Sequence, residues 1–277
     1  MKNIKQISKV SQIDKSIFFI KYYLKNFNNF SIIPKPFYRI FRYNYWKTLI
    51  YYTHLRAHLF KIRYSDKKFH EARFDTSFDY KAWKYNTFSK RPNLDLNYLA
   101  DEILLNKKKI ISILDVGCGP GEIGANLIAL CKFRKIKYTG IDFSPTAILK
   151  GKKAFKIFFI NKKIRFNFLK DNFIKFELKK KKIFDYSFSV SVLEMIENKD
   201  ISNFIKNMCQ KTKIGVFLNE NNENFPGSKI RDDKFYENLF KKNGFELVKY
   251  KYKLEKVPRG RGFFEFYRLI AYFKRIN

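Results

Sequence analysis

The segment Ile113–Gly124, with the sequence ILDVGCGPGEIG, has the residue types and spacing of a loop that binds a nucleotide. Three glycines alternate at Gly117, Gly119 and Gly121, directly after an apolar run. Because glycine has no Cβ, such a loop can turn tightly and let a ligand approach the backbone. The glycines alone allow two kinds of ligand, a dinucleotide for hydride transfer or another adenosyl cofactor for group transfer.

Three details of the loop favour the second kind of ligand. The glycines read G-x-G-x-G, so the third comes one position too early for the dinucleotide fingerprint. Asp115 stands two positions before the first glycine, where dinucleotide sites usually keep an apolar residue, and Glu122 follows the third glycine. Acids at the entry to a helix would repel a pyrophosphate and suit a cationic ligand.

The elements that must position this loop alternate between strands and helices from about residue 94, which predicts an α/β fold with a mainly parallel sheet. Seven strands are expected, at 110–116, 136–141, 164–168, 184–190, 213–218, 245–252 and 263–273. Helices are expected at 94–107, 123–131, 145–156, 200–210 and 232–243. The turn PRGRG joins the last two strands without a helix, so we expect an antiparallel hairpin at one edge.

Acidic residues follow the predicted strands at the positions where parallel sheets bind ligands, beyond the carboxyl ends of the strands. Asp142 ends the second strand, and its carboxylate can accept hydrogen bonds from both hydroxyls of a ribose. Asp171 closely follows the third strand. It could accept a hydrogen bond from an adenine amine, or act as a loop acid or helix cap before Asn172 and Phe173.

The ordered segments LDVGCGPG, IDFSP and FDYSFSVSVLEMI resemble those of the class I S-adenosylmethionine-dependent methyltransferases, over roughly residues 94–274. The resemblance implies a Rossmann-like fold and S-adenosyl-L-methionine as the cofactor. It places the amino acid part of the cofactor at the glycine loop, the ribose and adenine at the next two strand ends, and the methionine side near the fourth. The residues it implies for cofactor binding are Asp115, Gly117, Cys118, Gly119, Gly121, Asp142, Phe143, Asp171, Asn172 and Ser189.

No catalytic residue follows from the same motifs. Many relatives have histidine where this chain has Met195, and because a methionine cannot transfer a proton, we expect Met195 to be packing. Glu194 is a weak candidate that could orient a substrate or simply begin a helix. Methyl transfer from a sulfonium needs proximity, orientation and a dry site more than a general base. The missing acid–base pair therefore leaves the methyl acceptor open.

Three classes of function remain, and a methyltransferase for a small-molecule or lipid- or saccharide-linked acceptor is the first. No Asn/Asp-Pro-Pro-Tyr/Phe sequence follows the fourth strand, which disfavours exocyclic amines of nucleobases. An RNA methyltransferase is the alternative, because a formal net charge of +33 suits an anionic partner. The basic residues of this chain are, however, spread along the whole sequence. Such a spread fits a general drift in amino-acid composition better than a dedicated RNA-binding surface. A non-enzymatic relative of the fold is the third class.

Residues 1–93 are predicted to form a helical, aromatic and basic extension or lid, and residues 94–277 the methyltransferase domain. Within the extension, Phe37–Arg63 has the spacing of an amphipathic helix that could lie on an anionic membrane surface or pack on the sheet. The three cysteines show neither a disulfide framework nor metal-ligand spacing. No signal peptide or membrane-spanning run is evident, which favours a cytoplasmic protein with peripheral membrane contact as an open alternative.

Overall fold

The computed structural model describes residues 95–132, 134–159, 164–175, 183–221, 230–259 and 262–276. The expectations for residues 1–93, including the amphipathic helix at 37–63, lie outside the described residues, so the extension and the domain boundary stay predictions.

In these ranges, helices alternate with strands through most of the chain. The helices are α1 (Asn97–Leu105), α2 (Glu122–Leu130), α3 (Pro145–Phe158), α4 (Asn198–Gln210) and α5 (Asp233–Lys241). Short 3₁₀ helices span Phe173–Lys175 and Leu193–Met195. The strands are β1 (Ile111–Val116), β2 (Ile136–Asp142), β3 (Arg165–Lys170), β4 (Phe184–Val190), β5 (Thr212–Asn221), β6 (Phe245–Arg259) and β7 (Gly262–Arg275).

The seven strands of the described ranges form one sheet in the order β3-β2-β1-β4-β5-β7-β6. The first five pair in parallel, whereas β7 is antiparallel to both β5 and β6. From β1 the chain adds β2 and β3 on one side of the sheet and then returns to add β4 and β5 on the other. The point where the strand order reverses therefore lies between β1 and β4. The predicted Rossmann-like α/β fold with an antiparallel C-terminal hairpin is confirmed.

The strand β5 is longer than the sequence predicts, because it continues past Leu218 to Asn221. The added residues 219–221 are all polar, a composition that is more typical of a loop than of a buried strand. They nevertheless pair with β7, where Asn221 lies opposite Arg268. The guanidinium of Arg268 also donates to the side chains of Asn219 and Asn221. Pairing with Arg268, nearly fifty residues away in the sequence, thus extends β5, and no local sequence pattern predicts this extension.

Apolar side chains fill the space between the sheet and the helices on both of its faces. On one face, Phe155 of α3 stacks on Tyr138 of β2 with ring centroids 4.9 Å apart and meets Phe168 of β3 edge-on at the same distance. All three rings are buried. This aromatic cluster fixes α3 against β2 and β3, two of the strands whose carboxyl ends carry the predicted site.

The N-terminus of α5 is capped by Asp232, whose carboxylate accepts a hydrogen bond from the Phe235 N–H at 2.8 Å. Replacing Asp232 with Ala should lower the free energy of unfolding by about 1 kcal/mol, because the N–H loses its acceptor. Urea unfolding measures the change, and Asp232→Ser, which keeps a capping oxygen, is the matched control. Equal losses in the two variants would contradict the capping role.

None of the helices in the described ranges combines the length and the apolar character needed to cross a membrane.

Candidate functional site

The sheet register brings the predicted site residues to a single edge. Val116, the last residue of β1, pairs with Ile141 of β2 on one side and with Ser189 of β4 on the other. Asp142 at the end of β2 pairs with Lys170 at the end of β3. The segments that follow β1, β2, β3 and β4 therefore emerge side by side, as binding at the carboxyl ends of the strands requires.

The glycine loop owes its shape to three left-handed residues, since φ is +74° at Gly117, +51° at Gly119 and +80° at Gly121. Side chains also fill the space that two of these glycines leave. A Cβ added to Gly117 would lie 2.3 Å from Val192 Cγ2, and one added to Gly121 would lie 2.7 Å from Phe155 Cε2. Glycine is therefore required at both positions by conformation and by contact.

Hydrogen bonds tie the loop to the end of β2. The N–H groups of Gly117 and Cys118 both donate to the Ile141 carbonyl, at 2.8 and 3.0 Å. The Gly119 N–H donates to Asp142 Oδ2 at 2.9 Å, and the Ser144 N–H donates to Oδ1 at 2.8 Å. The loop and the buried Asp142 carboxylate thus form one hydrogen-bonded unit.

A second buried carboxylate, Asp115, lies at the base of the loop and accepts a hydrogen bond from the Tyr138 hydroxyl at 2.6 Å. Burial raises the pKa of Asp115 to about 8; the Tyr138 hydrogen bond opposes this shift, and the charge of Asp142 adds to it. Burial also raises the pKa of Cys118 well above its ordinary value, so its thiol stays protonated. The Cys118 Sγ donates to the Gly119 carbonyl at 3.2 Å.

The raised pKa of Asp115 predicts a loss of stability with rising pH. Between about pH 4 and pH 8 the folded chain holds a proton that the unfolded chain has released, so the free energy of unfolding falls across this window. Asp115→Asn removes the titration and should flatten the slope by more than about 1 kcal/mol over the window.

Urea unfolding from pH 5 to pH 8 checks this expectation, and Asp185→Asn is the matched control. The pKa of Asp185 is lowered, because hydrogen bonds from Lys108 and Ser112 outweigh its burial, so its own contribution to stability is lost only at lower pH. Slopes that change alike in the two variants would show that Asp115 is not the titrating group.

The strand ends β2 and β3 are joined by Asp171, whose N–H donates to the Asp142 carbonyl at 3.0 Å. The Asp171 carboxylate accepts from the Asn172 N–H at 2.7 Å, and Asn172 Oδ1 accepts from the Ile174 N–H at 3.1 Å. Asn172 therefore caps the 3₁₀ helix after β3, while both side chains are exposed. Phe143, directly after Asp142, is half-buried.

The remaining sequence candidates lie beyond β4. Ser189 is buried, and its hydroxyl donates to Glu220 Oε1 at 3.0 Å. Glu194 is also buried, and its carboxylate accepts from the Asn221 N–H and side-chain amide, both at 2.7 Å. Glu194 lies in the 3₁₀ helix after β4, and Met195 beside it is half-buried.

A buried polar cluster that the sequence did not predict lies near the carboxyl end of β5. It is formed by Asn219, Glu220, Arg231 and Arg268. Burial and the neighbouring charge of Glu194 raise the pKa of Glu220, against the opposing charge of Arg268. The polar run at 219–221 follows an apolar strand, so the rule that singled out Asp142 could have found Glu220. The two arginines have no local signal that separates them from the other basic residues.

The comparisons with known proteins agree with this geometry. The family model for the methyltransferase domain matches residues 113–215, and a comparison with curated protein sequences finds no match.

Among solved structures, the chain is similar to magnesium protoporphyrin IX methyltransferase from Synechocystis PCC 6803 with bound S-adenosylhomocysteine, at 15% identity over 71% of this chain and 82% of that chain, with a TM-score of 0.51. It is similar to TehB from Haemophilus influenzae, at 16% identity over 72% and 66% of the two chains, with a TM-score of 0.54. A Pyrococcus horikoshii protein proposed to be an RNA methyltransferase matches at 13% identity over 76% and 98%, with a TM-score of 0.50.

Likeness at these identities shows the fold alone, and the family match shows which domain the fold carries. The glycine loop, the strand order and the family match agree, and the cofactor of this domain is S-adenosyl-L-methionine. The chain is an enzyme that carries a methyltransferase domain over residues 113–215, and its fold is that of the class I, S-adenosylmethionine-dependent methyltransferases.

Proposed function

We propose that the chain binds S-adenosyl-L-methionine across the ends of β1 to β4 and transfers its methyl group to a small-molecule or lipid- or saccharide-linked acceptor. The observation that carries the cofactor placement is the hydrogen bond from the Gly119 N–H to Asp142 Oδ2 at 2.9 Å. It joins a loop that a ligand can approach to a carboxylate suited to a ribose diol.

The charges around the loop fit this cofactor. Asp142 lies beside the loop, and Glu122 begins α2. Carboxylates at these positions would repel a pyrophosphate, whereas they attract the ammonium and sulfonium groups of an adenosyl donor. The donor set therefore fits S-adenosylmethionine better than a dinucleotide.

Each residue of the site has a proposed role. Asp115 and the backbone of residues 117–121, including Cys118, hold the amino acid part of the cofactor, and Asp142 accepts from the ribose hydroxyls. Phe143, Asp171 and Asn172 lie along the adenine, and the backbone at Ser189 lines the methionine side. The strand register, which sets these residues side by side, supports the assignment.

When bound, S-adenosylmethionine would supply a sulfonium-activated methyl group to the acceptor and would leave as S-adenosylhomocysteine. The protein contributes orientation and exclusion of water. The buried Asp142 fixes one end of the ligand, and Val192, packed on Gly117, closes the side of the loop that faces β4.

The acceptor class rests on the segment after β4. Its sequence, SVLEMI, lacks the Pro-Pro-aromatic arrangement expected of an enzyme that methylates exocyclic amines of nucleobases. RNA is the second candidate, favoured by the formal net charge of +33.

Methyl transfer from radiolabelled S-adenosylmethionine separates these acceptors. The purified chain is incubated with total small-molecule, lipid and RNA fractions of the source cells, each also supplied after nuclease treatment. We expect label in the small-molecule or lipid fraction that survives nuclease, with Asp142→Ala as the inactive control. Label confined to nuclease-sensitive RNA would replace the proposed acceptor with the second candidate.

A further inference from the structure

The β4 loop, defined as Ser191–Ile196, has two backbone N–H groups that donate to one carboxylate, that of Glu220. Glu220 Oε2 accepts from the Val192 N–H at 2.8 Å and from the Leu193 N–H at 3.0 Å, while Oε1 accepts from the Ser189 hydroxyl. The loop contains one 3₁₀ turn, which forms few hydrogen bonds of its own. Its conformation therefore depends on bonds from outside.

Two further side chains hold the same loop from other directions. Glu194, within the loop, accepts from the Asn221 N–H and amide. Arg231, which precedes α5, donates to the Leu193 carbonyl and to the Ile196 carbonyl, both at 2.6 Å. The N–H groups of Val192 and Leu193 thus find a partner on β5, and the Ile196 carbonyl finds one before α5.

Arg268 of β7 connects the loop to the end of β5. Its guanidinium donates to the Ser191 hydroxyl, to the Asn219 carbonyl and to Asn221 Oδ1, each at 2.7 Å. Ser191 has a left-handed φ of +55°, an uncommon conformation for serine that this hydrogen bond helps to stabilise. The guanidinium of Arg268 therefore holds Ser191, the first residue of the β4 loop, in place.

Four charged side chains hold the β4 loop, and all are at most 5% exposed: the carboxylates Glu194 and Glu220 and the guanidinium groups of Arg231 and Arg268. Glu220 faces Glu194 from the loop, Arg268 from β7 and Tyr236 of α5. Buried charges of this kind are tolerated when they are paired and hydrogen-bonded, and removing one partner is costly. The arrangement is therefore a built unit and not a set of incidental surface contacts.

We call the four charged side chains that hold the β4 loop the clamp. The β4 loop in turn contacts the glycine loop through Val192, whose side chain occupies the space beside Gly117. We propose that Glu220 is a positioning residue that holds the β4 loop against Gly117 and thereby sets the affinity for the cofactor. The proposal rests on the proposed placement of the amino acid part of the cofactor at the glycine loop. Glu220 acts through the backbone of Val192 and Leu193 and touches no reacting atom.

The test compares Glu220→Ala with Asp185→Ala, a matched control at the other end of the sheet. Asp185 is also a buried carboxylate that accepts from a backbone N–H and a serine hydroxyl, those of Ser112 at 2.8 Å. Binding of S-adenosylhomocysteine is measured by calorimetry, and amide hydrogen exchange of Val192 and Leu193 is measured without ligand. Glu220→Gln, which keeps a carbonyl acceptor, serves as the conservative variant.

We expect Glu220→Ala to speed exchange at these two amides and to weaken binding, each by about tenfold. Glu220→Gln should stay within about threefold of the wild type, because its carbonyl still accepts from both N–H groups. Asp185→Ala should lower the melting temperature while leaving both readouts unchanged. Wild-type values in a folded Glu220→Ala chain, or equal losses in Asp185→Ala, would overturn the proposal.

The hydrogen-exchange measurement on the wild-type chain tests the clamp even without a variant and without ligand. If Glu220→Ala does not fold, the wild-type amides of Val192 and Leu193 must still exchange far more slowly than those of an unstructured peptide, and unprotected amides would overturn the clamp. A wild-type chain that binds no S-adenosylhomocysteine would instead refute the cofactor placement, so the two failures are distinguishable.

Discussion

Asp142→Ala is expected to weaken the binding of S-adenosylhomocysteine by about 1.5–3 kcal/mol, or roughly 10- to 150-fold, the range for hydrogen bonds to a charged group. The variant removes the proposed acceptor of the ribose hydroxyls. It also removes the oxygens that accept from the Gly119 and Ser144 N–H groups, so the loop keeps only its backbone hydrogen bonds to the Ile141 carbonyl of β2. Isothermal titration calorimetry on the folded variant measures the change.

Asp171→Ala is the matched control for this experiment, because it removes a carboxylate from the next strand end. Asp171 is exposed and accepts only a local hydrogen bond, from the N–H of Asn172, in the described part of the chain. Its loss should cost less than the loss of Asp142, since water can replace much of an exposed contact. Unchanged affinity in Asp142→Ala would show that the ribose contact is misplaced.

Gly121→Ala is expected to lower the free energy of unfolding by about 2–5 kcal/mol. Part of this cost is the left-handed conformation, since φ is +80° and a Cβ there costs about 1–2 kcal/mol. The rest is overlap, because the new Cβ would lie 2.7 Å from Phe155 and 2.8 Å from Phe168, and displacing packed rings typically costs about 1–3 kcal/mol.

Gly244→Ala separates these two contributions. Gly244 has nearly the same φ, +78°, but a Cβ added there would meet nothing within 4 Å. It should therefore show the conformational cost alone, and urea unfolding of both variants gives the overlap cost by difference. Equal destabilisation would mean that the aromatic cluster yields to the extra methyl group and does not require glycine at position 121.

The parts of the fold that local patterns determine were predictable. Apolar strands such as β1 and β4, and the helix α3 that starts at Pro145, follow directly from the alternation of apolar and polar residues. The carboxyl-end rule then placed Asp142 and Asp171 at one edge, and the register confirms their adjacency. Their roles toward the cofactor stay predictions.

The parts that depend on distant partners were not predictable in the same way. The insertion of β7 between β5 and β6 is set by pairing across the sheet, and the polar end of β5 is stabilised by Arg268. Glu220 is likewise defined by what it touches, the N–H groups of Val192 and Leu193. A single arginine or glutamate in a highly charged chain carries no sequence signal of such contacts.

The assignment of the cofactor is tested most directly by a calorimetric titration of the wild-type chain with S-adenosylhomocysteine, repeated in the presence of a large excess of NAD. The glycine loop with Asp115 beneath it and Asp142 beside it predicts one binding site per chain that NAD does not occupy. Absence of binding, or displacement of S-adenosylhomocysteine by NAD, would contradict the assignment of this site to an adenosyl methyl donor.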